Sequence, residues 1–193
     1  AREWATAEAL LPLVLERGYQ GCPDMTELSK KLARLYGAAL SVDGTMSGQS
    51  RVLTVSLSGI RDAFALAGEP LSREYADIAF GTAFEPYRVD GVLDAEAVAI
   101  EKEQLRELLE GEINEKRSYC IRQARRRFYG DSPAGIERNG YLDEVDGLTA
   151  DAVTRAYARM VEQAQIEVFV LGADVDAVAQ RLLHHARVSP CHR

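Results

Sequence analysis

Three histidines, His184, His185 and His192, fall in the last ten residues of this 193-residue chain. Histidine is the commonest metal ligand and the commonest general base near neutral pH, so the first 183 residues lack imidazole chemistry altogether. With Cys191 the three could form a metal site. However, His184 and His185 are adjacent and leave a helix on different sides, and a solvated polar tail over 186–193 is the expected reading. Glu101, Glu103, Glu107, Glu110 and Glu112 form an acidic run. Lys102, Arg106, Lys116 and Arg117 interleave with it, which predicts a salt-bridged surface rather than a cation site. Cys120 is expected on the inner side of its helix as a small core residue, because no histidine is at hand to activate it. Ser47-Gly48-Gln49-Ser50 reads as a hairpin turn and not a phosphate loop, since no lysine follows and no helix opens.

Composition bounds the rest. The net charge of -7 argues against an electrostatic nucleic-acid binder, with Arg122 and Arg125-Arg126-Arg127 as a local exception expected on a solvated helix face. Three cysteines without CxxC spacing fit a reducing compartment, no apolar run is long enough to span a membrane, and the start is neither basic nor followed by an apolar stretch. A cytoplasmic protein is expected. The missing initiator methionine suggests a processed product or a fragment.

The elements that would position these residues follow from periodicity. Trp4 to Arg17 predicts a helix buried on most sides, with Pro12 inside it and Gly18 ending it. Leu28, Leu32 and Leu35 mark a second helix after Pro23-Asp24, stopped at Gly37, with Tyr36 packing. Ala39 to Met46 and Arg51 to Ser58 predict a hairpin whose buried face carries Val52, Leu53, Val55 and Leu57. Arg61 to Ala83 is helical but interrupted at Gly68 and Pro70, and Phe84 to Gly91 is a loop. A long helix from Asp94 turns Val98, Leu105, Leu108, Leu109 and Ile113 inward and breaks near Asn114, a second piece running to Tyr129. After a Gly130–Gly140 loop, Thr149 caps a helix to Val161, Ile166 to Leu171 forms an apolar strand, and Asp174 starts a last helix to His185. The expectation is an α+β fold: a small, mostly antiparallel sheet covered on one face by helices. It fills one unit over 1–185 that lacks its first strands.

Three stretches carry a resemblance. The first is Leu10 to Gly18 followed by Leu32-Ala33-Arg34-Leu35-Tyr36-Gly37-Ala38. Glu101-Lys102-Glu103 leading to Asn114-Glu115-Lys116-Arg117-Ser118-Tyr119 makes the second. The third comprises Gly140, Leu148-Thr149-Ala150-Asp151, Tyr157 and the segment ending in Gly172. In this order and spacing they resemble the pitrilysin-like metallopeptidases, the group of insulinase and the mitochondrial processing peptidase, and above all bacterial members with a degenerate active site. The resemblance implies one repeat unit of the LuxS/processing-peptidase-like metallohydrolase fold, usually paired with a second. Active members hold zinc with HxxEH on the first helix and a downstream glutamate, leaving one position open for water. Aligned on the helix-ending glycine, Gly18, the two histidine positions fall at Ala9 and Leu13 and the catalytic glutamate at Pro12. The third-ligand position falls near Leu108, with Glu107 beside it as a possible remnant. None of Ala9, Pro12 and Leu13 can bind zinc or move a proton, so no zinc and no catalytic residue are expected. Apolar filling avoids the several kcal/mol that a vacant buried polar site costs.

The implied role is a non-catalytic unit that binds peptide or unfolded polypeptide, or that partners an active subunit or a second copy of itself. No nucleic acid or membrane is implied as a partner. Two alternatives stay open. One is an active zinc-dependent peptidase whose ligands come from another chain or from His184, His185 and His192. The other is a purely structural assembly module.

Overall fold

The computed structural model describes residues 2–130 and 132–185. The expected polar tail, with Cys191 and His192, lies outside them. The fold is α+β, eight α-helices and two antiparallel hairpins among the described residues. In chain order these are α1 (Ala5–Glu16), α2 (Met25–Arg34), β1 (Ala39–Ser47), β2 (Ser50–Ser58), α3 (Leu71–Phe84), β3 (Arg88–Val89), β4 (Val92–Leu93), α4 (Ala95–Gly111), α5 (Lys116–Tyr129), α6 (Leu142–Val145), α7 (Ala150–Gln163) and α8 (Val175–His185). They divide into two compact units. Unit 1 takes 1–14, 43–54 and 88–163, and unit 2 takes 15–42, 55–87 and 164–193.

Unit 1 is organised by helix caps and one glycine. Asp94 accepts from the backbone N–H groups of Glu96 and Ala97 and so starts α4, which buries Ala97, Val98, Glu101 and Leu105. Thr149 accepts from Ala152 N and starts α7, which buries Val153, Ala156 and Tyr157. The Thr154 hydroxyl donates to Ala150 O and accepts from Leu93 N at 2.9 Å, tying β4 to α7. The α4 side chain Lys102 donates to the carbonyls of Asp146 and Leu148, satisfying groups at the end of α6. Gly140 sits at φ +78°, and a Cβ there would lie 2.6 Å from the Thr6 Cα, so conformation and space both require glycine.

Unit 2 closes over a cluster of Tyr19, Cys22, Leu28, Leu35, Ala38, Leu71 and Ile78, with Leu40 and Leu57 of the β1–β2 hairpin packed against it. Asp24 caps α2 through Thr26 N. The N-cap of α3, Pro70, offers no side-chain acceptor. The Asp62 carboxylate supplies it, accepting from the amide and hydroxyl of Ser72. Burial raises the Asp62 pKa, but these Ser72 bonds outweigh it and hold the carboxyl below its ordinary value. Ser72 Oγ also accepts from Asp174 N, and Arg181 of α8 pairs with Asp77 of α3.

The structure corrects several sequence expectations. On β2 the half-buried residues are Arg51, Leu53, Val55 and Leu57, while Val52 is 39% exposed. Arg51 shares the covered face because it meets a carboxylate there, so strict period-2 alternation wins over side-chain polarity. The expected 84–91 loop contains a second hairpin: Asp90 (φ +52°) and Gly91 (φ +84°) form the two-residue turn between β3 and β4. Residues 166–171 are not a strand. No described segment pairs with them, and Phe169 and Leu171 stand 89% and 99% exposed. On α4, Leu108 lies at the surface, and Ile113 just beyond it does too, whereas Glu101 is buried at 4% exposure. Cys120 is exposed, since α5 buries none of its residues.

Candidate functional site

The aligned positions Ala9, Pro12 and Leu13 lie on α1 in unit 1. The helix runs unbroken through Pro12, although a proline removes the N–H that would bond to the Glu8 carbonyl. Leu10 and Leu11 are fully buried, Pro12 is buried, and Ala9 and Leu13 are half-buried. The backbone of β1 comes close at Gly44, where a Cβ would stand 3.1 Å from the Pro12 Cγ. The space beside position 12 is therefore occupied by a proline ring against a glycine, with no side-chain donor atom on either.

Leu108 and Glu107 lie on α4, both at the surface. Among the described residues, no three His, Cys, Asp or Glu side chains are grouped as a metal ion would need. The residues at the aligned positions do not fit a zinc ion: two are aliphatic, one is proline, and the nearby carboxylate is a lone exposed group. His184 and His185 are on α8 in unit 2.

Sequence reasoning missed a polar assembly one residue before Ala9. Glu8 on α1 pairs with two guanidinium groups: it forms an ion pair with Arg51 Nε of β2 at 3.3 Å and accepts from Arg159 Nη1 of α7 at 3.0 Å. Arg51 also donates to the carbonyls of Arg138 and Glu137, at 2.8 and 3.2 Å. Arg138 in turn donates to Gly44 O at 2.8 Å. Burial lowers the Arg51 pKa, opposed by the Glu8 charge, and arginine nonetheless stays protonated. Arg159 also stacks on Trp4, 5.4 Å from its ring centroid. The only sequence signal was an arginine opening a strand of alternating pattern. Its one carboxylate, Glu8, is held between two guanidinium groups, so the arrangement is a tethering network. It ties Arg51 of β2 and Arg159 of α7 to α1, the helix on which the resemblance places metal ligands.

The acidic run of α4 is partly a salt-bridged surface. Arg106 pairs with Glu103 at 3.4 Å and Asp146 at 2.5 Å, and Arg122 pairs with Glu112 and, at 4.0 Å, with Glu137. Burial raises the Glu137 pKa, against the pull of Arg122, Arg126 and Arg125.

No protein-family model matches the chain. Over 176 residues it is 27% identical to a Bacillus subtilis (strain 168) protein, a match covering 91% of this chain and 41% of that relative. The relative is named "Probable inactive metalloprotease YmfF". Among solved structures, a conserved protein from Enterococcus faecalis V583 matches with a TM-score of 0.76 at 24% identity, over 83% of this chain and 38% of that one. The second likeness supports the α+β fold. The first makes this chain similar to a protein named as a probable inactive metalloprotease. The chain spans less than half the length of either relative. No helix among the described residues is long and apolar enough to cross a membrane.

Proposed function

We propose that this chain is a catalytically silent unit of the pitrilysin-like metallopeptidase type, which binds extended polypeptide alone or beside an active zinc subunit or a second copy of itself. The observation that carries the reading is α1 itself: Ala9, Pro12 and Leu13 occupy the positions where the resemblance puts two zinc ligands and a base, and Pro12 packs against Gly44. Similarity to a relative named as an inactive metalloprotease supports it. For peptide capture, β1 and β2 pair only with each other among the described residues, so each has a second edge of backbone donors and acceptors. Strand addition at such an edge relies on main-chain hydrogen bonds and tolerates many sequences.

The test combines metal analysis with binding. Purified protein is expected to carry no stoichiometric zinc and to leave unfolded casein uncut, while binding a casein-derived peptide. The same peptide N-methylated at alternate residues is expected to bind at least ten-fold more weakly. Stoichiometric zinc whose removal by chelator abolishes hydrolysis overturns the reading, and so does binding unaffected by N-methylation. The same assay on a His184→Ala/His185→Ala variant identifies any activity that depends on the α8 histidines.

A further inference from the structure

The arginine cluster of α5 has no place in the reading above. Six of the chain's 23 Lys and Arg residues lie in these 14 residues, which include no Asp or Glu, within a protein of net charge -7. Helix stability accounts for some of them. Arg126 and Arg127 stand in the last turn, where cations favour the macrodipole, and Arg122 pairs with Glu112 and Glu137. It does not account for Lys116 and Arg117. They sit in the first turn, where cations oppose the dipole, with no acidic residue there and no side-chain cap.

The exposure pattern gives the cluster a face. Tyr119, Arg122 and Gln123 are half-buried, and the opposite side is open. On that side Arg117, Ile121, Arg125 and Phe128 recur at i, i+4, i+8 and i+11, with Ala124 between them, so they form one stripe about 16 Å long. Ile121 is 53% exposed and Phe128 82%. The outward surface of α5 is thus an apolar strip with guanidinium groups along it.

We infer that this face of α5 is a docking surface for an acidic polypeptide segment with spaced apolar side chains. Charge complementarity selects the sign of the partner, because the face is cationic and carries no carboxylate. The strip is one helix wide, with two large apolar side chains, which suits a single helix or strand. Two large apolar side chains are fewer than the broad apolar face on which a helix lies in an anionic bilayer, and a nucleic acid brings no aliphatic side chains to cover Ile121. The inference goes beyond the hairpin-edge reading and does not depend on it.

The test is fluorescence anisotropy on the 193-residue chain with three kinds of probe. The first is a labelled 14-residue peptide of Glu with Leu at i, i+3, i+4 and i+7 spacing, with a matched peptide in which Lys replaces Glu. The second is vesicles containing phosphatidylserine, and the third a single-stranded RNA. The Glu peptide is expected to bind and to weaken at least ten-fold between low and moderate salt. It should weaken at least ten-fold again in Arg117→Glu/Arg125→Glu, and several-fold in Phe128→Ser at constant salt. These positions are exposed, so thermal unfolding should be unchanged; if the charge reversal lowers it, Arg117→Gln/Arg125→Gln replaces that variant. The inference is overturned if the Glu peptide does not bind, if the Lys peptide binds equally, if the variants bind as the parent does, or if vesicles or RNA bind more tightly than the peptide.

Discussion

Glu8 immediately precedes the first aligned ligand position and holds two arginines, with its own side chain 14% exposed and that of Arg51 12%. A charge pair this covered matters chiefly when one partner is removed, because the other is left without compensation. Glu8→Ala is expected to destabilise the protein by about 3 kcal/mol or more, read as a fall in the urea midpoint. Glu8→Ala/Arg51→Met should recover part of that loss, since both charges then leave together. If the double variant is as unstable as the sum of the single ones, the two side chains are not coupled. The pairing was not readable beforehand, because Glu8 and Arg159 stand 151 residues apart and nothing local marks either as a partner.

At the scale of elements, α3 depends on an acceptor outside its own sequence. Asp62 caps it through Ser72, and those bonds hold the Asp62 carboxyl below its usual range. A carboxyl depressed in the folded state stabilises fully above its unfolded pKa, about 3.9, and that contribution disappears as pH falls through the lower folded value. The parent protein is therefore expected to lose urea resistance on acidification below about pH 4, and Ser72→Ala to lose less over the same interval. Equal losses would remove Asp62 from the account. Caps were the most legible part of the fold: Asp24, Asp94, Thr149 and Asp174 each start the helix that the chain pattern marks. Tertiary pairing was much less so. Residues 166–171 have strand composition but no described partner, and a strand is defined by its neighbour. The Asp90-Gly91 turn was visible in principle, yet the two-residue strands beside it carry too little pattern. The aligned positions on α1 were marked out only by the family resemblance. Their apolar character alone looks like any buried helix.

For the whole molecule, the surface holds more apolar area than its charge suggests. Besides Phe128, the described residues leave Phe64, Leu66, Phe169 and Leu171 in solvent. An unpaired apolar stretch of strand-forming residues favours self-association. Phe169→Asp/Leu171→Asp is expected to raise the concentration at which the protein associates, measured by light scattering, with an unfolding midpoint unchanged within about 0.5 kcal/mol. A large loss of stability would mean that these side chains are buried in solution. The close approach of Pro12 to Gly44 bears on more than stability. A glutamate placed at position 12 would set a carboxylate where a proline ring now meets strand backbone, at the cost of burying its charge. On the proposed reading, each single step from this helix toward a metal-binding one is therefore unfavourable by itself, and hydrolysis would require several changes made together.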